Sequence, residues 1–171
     1  MMQTDLKETA VRTEDSMALE LTSNAIRANE AIPTRYGCDG ERISPPLRWS
    51  GAPPATAAFA LIADDPDAPR GTFTHWVLYN IPGASDHLDE NMPKAAHLEN
   101  GALQGPNDFG ESGYGAPCPP RGQTHHYHFT LYALDAPLPL PAGASKQQVL
   151  DTLRAHILDQ ATLIGTYARS S

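Results

Sequence analysis

The stretch HHYHFTLYALD, residues 125–135, holds three of the chain's seven histidines within four positions. Imidazole changes charge near neutral pH, so such a cluster could hold a metal, move protons or grip an anion. Strand geometry decides which of the three can act together, because side chains alternate between faces. His125, Tyr127, Phe129, Leu131 and Ala133 share one face, and His126, His128, Thr130 and Tyr132 share the other. Phe129 and Leu131 belong in a core, so His125 and Tyr127 are expected to point inward at the strand's entrance. His126 and His128 are then expected outside. Three adjacent histidines cannot converge on one ion unless the strand is broken.

The same alternation applied to THWVLYNI (74–81) groups His75 with Val77, Tyr79 and Ile81, opposite Trp76, Leu78 and Asn80. Both faces are largely apolar, as in a strand covered on both sides, which places His75 in a core or at a cleft. Upstream lies Asp64-Asp65-Pro66-Asp67. Carboxylates this close raise one another's pKa unless donors or cations neutralise them. A solvated Asp-Pro turn accounts for the residues without any function. The functional reading has one or two of these aspartates orient His75 or His125, fix the tautomer and leave an N–H aimed into a cleft.

A third element is the glycine- and proline-rich run GPNDFGESGYGAPCPPRG (105–122), whose exposed backbone N–H groups could form an anion nest. No phosphate loop, dinucleotide fingerprint, HExxH zinc helix or GxSxG elbow occurs. The two cysteines, Cys38 and Cys118, have no zinc-ligand spacing. No catalytic residue, metal or cofactor is therefore assigned. Disulfides are rare in the cytosol, so two reduced thiols are expected, with a Cys38–Cys118 disulfide as the alternative.

The elements that must carry these residues are mostly strands. Residues 17–24, 56–64, 74–81, 127–134 and 161–167 read as strands from β-branched and aromatic content bounded by turn residues. Residues 83–124 show little periodicity and read as a long ordered loop. One helix stands out, opened by a capping box from Ser145 to Gln148, with Val149, Leu150, Leu153 and Ile157 on one face. Strands with a single late helix predict a mainly β, sandwich-like fold. The 16 prolines and 13 glycines agree with short strands and many turns. A single domain is expected over residues 17–171, after a polar, disordered extension over 1–16.

The formal net charge of −8 argues against nucleic acid and against anionic membrane surfaces as partners. No apolar run approaches the ~18 residues of a membrane-spanning helix. The N-terminus lacks the basic and apolar regions of a secretory signal, so a cytoplasmic location is expected.

Three segments together, ADDPDAP (63–69), THWVLYNIP (74–82) and GYGAPCPPRGQTHHYHFTLYALD (113–135), resemble the phosphatidylethanolamine-binding protein family, which includes Raf kinase inhibitor protein. YGCDGERISPPLRWSG (36–51) fits its bacterial branch, and the resemblance runs from about Leu19 to Tyr167. It implies a β-sandwich with a large central sheet, a short C-terminal helix and an anion pocket at one sheet edge. The pocket would take phosphate, a phosphoethanolamine head group or acetate. The family motifs fall on Asp65, Asp67, His75, Pro120, His125 and Tyr127, the implied ligand-binding residues. The implied role is regulatory, through ligand binding; inhibition of a kinase or protease is the alternative, and an Asp/His hydrolase a more remote one. A homodimer and an unidentified protein partner are further expectations. Two departures stand out. His126 replaces the arginine of the family's usual HRY, and the loop from Arg70 to Phe73 is short, which weakens any transfer of kinase binding.

Overall fold

The computed structural model describes residues 18–169. The expected disordered extension over residues 1–16, and the start of the first expected strand, lie outside them. Two antiparallel sheets face each other. The smaller has the order β1-β2-β5, from Glu20–Thr22 (β1), Leu47–Ser50 (β2) and His87–Leu88 (β5). The larger has five strands in the order β6-β4-β3-β7-β8. These are Ala58–Asp65 (β3), Phe73–Pro82 (β4), Leu103–Gln104 (β6), Thr124–Leu134 (β7) and Ile157–Ala168 (β8). The fold is mainly β, as the strand patterns predict. The single α-helix among the described residues, α1, spans Lys146–Leu153, and its Ser145–Gln148 capping box is complete in both directions.

Two cores cover the two faces of the large sheet. Trp49, Phe59, Leu61, Trp76, Leu78, Phe129 and Leu131 fill the space between the sheets. Ala60, Ile62, Val77, Tyr79, Val149 and Leu153 pack beneath α1 on the far side. A central strand covered twice needs apolar residues on both faces, which is why β3 and β4 read as nearly unbroken apolar runs. Each large side chain so buried contributes about 1.5–3 kcal/mol relative to exposure.

Two interruptions of β4 overturn its simple alternation. Its partner register on β3 jumps between Ala63↔Trp76 and Asp64↔Thr74, leaving His75 as an extra residue. A second jump lies between Phe59↔Ile81 and Leu61↔Leu78, where Asn80 adopts φ 56°. Asparagine tolerates this left-handed conformation better than most residues. Each bulge turns one side chain to the other face. Ile81 joins the core of Trp76 and Leu78, not the Val77–Tyr79 face expected from period two.

Further corrections concern lengths. The last strand is not short but covers all of Ile157–Ala168, pairing with β7 along its length. The helix stops at Leu153, so Ile157 is not on its face; it begins β8 and is 37% exposed. The 83–124 segment contains the two-residue strands β5 and β6, too short to show a period. Strand β2, in which Leu47 and Trp49 are buried alternately with exposed neighbours, was also not assigned from sequence.

Candidate functional site

The carboxylates of the Asp64–Asp67 turn diverge, which resolves the problem of crowding them. Asp65 ends β3 on the inner face and is 3% exposed. Its Oδ2 accepts from Nδ1 of buried His125 at 2.7 Å, and its Oδ1 accepts from the Asp67 backbone N–H at 2.8 Å. Asp64 takes the opposite face and pairs with Lys146 at 2.9 Å, at the start of α1. Asp67 turns outward, where its Oδ2 accepts from both the backbone N–H and Nδ1 of exposed His126, each at 2.8 Å. Hydrogen bonding to His126 is the first reason that the Asp67 carboxyl is held below its ordinary pKa. Each carboxylate thus has its own neutralising partner. Asp67 orients His126, not His75 or His125 as expected, because it leaves the turn on the solvent side.

His75 reaches the inner face through its bulge. Its ring lies 5.2 Å from the Tyr127 ring and 4.8 Å from the Phe73 ring, centroid to centroid. Strict alternation would have left it on the Val77 side, away from His125. Nδ1 of His75 lies 2.7 Å from the Gly115 carbonyl oxygen, and the Gly115 N–H donates to the His75 carbonyl at 2.8 Å. The carbonyl accepts only from an N–H, so Nδ1 carries the proton and Nε2 of the neutral ring is an acceptor. Burial lowers the His75 pKa from its ordinary value. The expected free N–H therefore exists on His75 only after a second protonation. On His125, Nε2 already faces Oε1 of exposed Gln123 at 2.8 Å.

Gly115 is glycine for a reason of space: a Cβ there would lie 2.6 Å from the Phe109 ring. The loop around it is bound to the edge of β4. Thr74 N–H donates to Asp108 Oδ2 at 2.8 Å, and Asp108 N–H returns to the Thr74 carbonyl at 2.8 Å. Tyr114 is buried against Trp76 and donates its hydroxyl to the Tyr36 carbonyl at 2.8 Å. Cys38 and Cys118, expected as thiols, form a disulfide that ties this loop to the segment after Tyr36. Eighty positions separate them, so no local pattern in the sequence reveals the pairing.

These residues enclose a cavity of about 110 Å³. Asp65, His75, Pro120, His125 and Tyr127 line it, together with Phe73, Phe109 and Cys118. Of the six ligand-binding residues implied by the family motifs, only Asp67 does not. Phe73, the first residue of β4, and Phe109, in a turn, escaped sequence reasoning because neither lies inside a run long enough to show a period. The volume is that of about four waters, below that of a site for a drug-sized molecule. The Tyr127 hydroxyl is buried with no hydrogen-bond partner of good geometry among the described residues. Burial first, then the Asp65 charge and a hydrogen-bonding contact to the same carboxylate, push its pKa far up, so it is a neutral donor. Among the described residues no serine or threonine lines the cavity, and Cys118 is not a free thiol. Among the described residues, no group of three or more His, Cys, Asp or Glu is placed to hold a metal ion.

The cavity lies at the end of the large sheet of this two-sheet fold. The family model of phosphatidylethanolamine-binding protein matches residues 22–168. A UPF0098 protein of Methanothermobacter thermautotrophicus is 52% identical over 151 residues, covering 88% of this chain and 99% of its own. The crystal structure of the phosphatidylethanolamine-binding protein homologue CT736 from Chlamydia trachomatis superposes with a TM-score of 0.82 at 39% identity, over 90% of this chain and 99% of that one. E. coli YbcL, described as a member of the mammalian family, gives 0.82 at 35% identity, over 89% and 99%. The chain belongs to the phosphatidylethanolamine-binding protein family.

Proposed function

We propose that the cavity binds a small oxyanion, a phosphate or phosphoethanolamine-type head group, and that occupancy regulates a downstream partner. The observation that carries this reading is the Tyr127 hydroxyl, a buried donor at the cavity wall whose approach to the Asp65 carboxylate falls short of a well-formed hydrogen bond. Leaving such a group unpaired costs about 1–3 kcal/mol, which an anionic oxygen would recover. His75 adds a second donor when Nε2 takes up a proton, which gives the cavity a positive charge to set against Asp65. Binding should therefore carry a proton onto His75 and strengthen as the pH falls below its ordinary value of 6.5.

Calorimetric titration with sulfate, whose charge is constant across this range, tests the reading without the ligand's own titration. Binding about tenfold weaker in Tyr127→Phe, with the fold intact, is the expected result. Equal affinity in both proteins would remove Tyr127 from the site.

A second reading, inhibition of a kinase or protease through the cavity rim, draws on Phe109, half-exposed beside the mouth. Loss of a captured partner in Phe109→Ala but not in Tyr127→Phe would favour it over head-group binding. A homodimer belongs to the same open proposal, and sedimentation of the purified chain tests it. Among the described residues no helix is long and apolar enough to cross a membrane. A cytoplasmic location requires the Cys38–Cys118 disulfide to persist against cytosolic thiols.

A further inference from the structure

The cavity does not end at its mouth. A second hollow of about 390 Å³ adjoins it, with Ala68, Pro69 and Phe73 forming the ridge common to both. Its remaining walls bring two opposite charges into one groove, Arg70 from the short turn before β4 and Asp108 from the loop bound to Thr74. Arg70 is exposed and has no ion pair or hydrogen bond among the described residues. Asp108 uses one carboxylate oxygen on the Thr74 N–H, and its second oxygen has no partner among the described residues. In a protein of net charge −8, a cation left unpaired beside a cavity mouth is a free resource.

We propose that this groove is a second subsite, and that it takes the α-amino-acid end of a phosphoserine-type ligand whose phosphate sits in the cavity. A guanidinium matches a carboxylate in fork geometry, and the free Asp108 oxygen accepts from an ammonium. A substituent with only an amine would leave Arg70 unused, and one with only a carboxylate would face Asp108 unneutralised. The zwitterion satisfies both. Pro69 and Phe73 cover the short carbon chain between. The proposal rests on phosphate occupying the cavity. The same chemistry exists as free phosphoserine and as the head group of phosphatidylserine.

Calorimetry on the full chain with inorganic phosphate, O-phosphoethanolamine and L-phosphoserine tests it, in wild type, Arg70→Gln and Asp108→Asn. The expected result is phosphoserine about tenfold tighter than phosphoethanolamine. That preference should vanish in Arg70→Gln while phosphate affinity stays the same. Asp108→Asn keeps the Thr74 bond and should weaken both amine-bearing ligands equally. Phosphate binding without a phosphoserine preference, or a preference that survives Arg70→Gln, overturns the groove proposal and leaves the cavity reading intact. Phosphoserine binding that depends on Arg70, with no binding of phosphate alone, supports the groove and counts against the cavity as an independent anion site. Failure of all three ligands overturns both. Co-sedimentation with phosphatidylcholine vesicles, with and without phosphatidylserine, separates the sources. Arg70-dependent vesicle binding assigns the lipid head group, and its absence beside Arg70-dependent phosphoserine binding assigns the free ligand.

Discussion

The two histidines of the cavity stand on walls of different kinds. His125 stands near the start of β7, paired with Tyr167 of β8 just beyond the last β3 partner, with a buried carboxylate on its Nδ1. His75 stands on a bulge, held by the carbonyl of a loop that a disulfide ties down. The first wall is set by the sheet itself. The second is set by chain that owes its shape to crosslinks and backbone bonds. The ligand response resides on the second wall: an aspartate keeps His125 oriented, whereas burial keeps His75 neutral, with its Nδ1 held by a carbonyl and its Nε2 left to take up a proton once an anion offsets that burial.

The largest effect on this contrast should come from the loop wall. Replacing both cysteines by serine removes a crosslink across 80 positions and should cost about 4 kcal/mol in denaturant unfolding. Anion affinity should fall with it, while the His125–Asp65 bond survives. Next comes the strand wall. Asp65→Ala leaves the His125 and Asp67 N–H groups without their acceptor, and a loss of about 3 kcal/mol is expected. If the cysteine variant loses stability but binds sulfate as wild type does, the loop does not position His75.

Tyr127→Phe sharpens the comparison differently. It removes a buried hydroxyl that makes no well-formed hydrogen bond in the free protein, so unfolding free energy should be unchanged or rise by up to about 1 kcal/mol. A loss of 2 kcal/mol or more would mean that the hydroxyl is satisfied in the free state. The smallest effect belongs to Asp67→Asn, outside both walls. The Asp67–His126 pair is largely exposed, so the change at neutral pH should stay within about 0.5 kcal/mol. Because the Asp67 pKa is lowered, its contribution is present above 3.8 and lost as the pH falls through the folded-state value. Chemical denaturation at pH 7 and pH 3 measures both.

The strand wall was legible in the sequence and the loop wall was not. Alternation in HHYHFTLYALD put His125 and Tyr127 inward with Phe129 and Leu131, and all four are buried. The same reasoning left His75 on the wrong face. Alternation holds only while strands stay in register, and the extra residue at His75 exists only relative to β3. Asp67 went to His126 for a similar reason, since the direction of a turn carboxylate depends on which strand lies beside it. The Cys38–Cys118 pairing, the reach of β8 and the aromatic rim at Phe109 are all tertiary. Asn80 carried a faint signal, because asparagine in a strand favours a left-handed kink.

The central claim is that an anion in this cavity draws a proton onto His75. The most direct measurement is an NMR pH titration of the His75 ring, with and without saturating sulfate. The free protein should titrate below 6.5, because the buried ring is neutral by preference. Unfolding free energy should accordingly fall as the pH drops from 6.5 towards that value, since only the unfolded chain takes up the proton there. With sulfate bound, the His75 midpoint should move up. A midpoint that stays where it was, with sulfate demonstrably bound, would contradict the account.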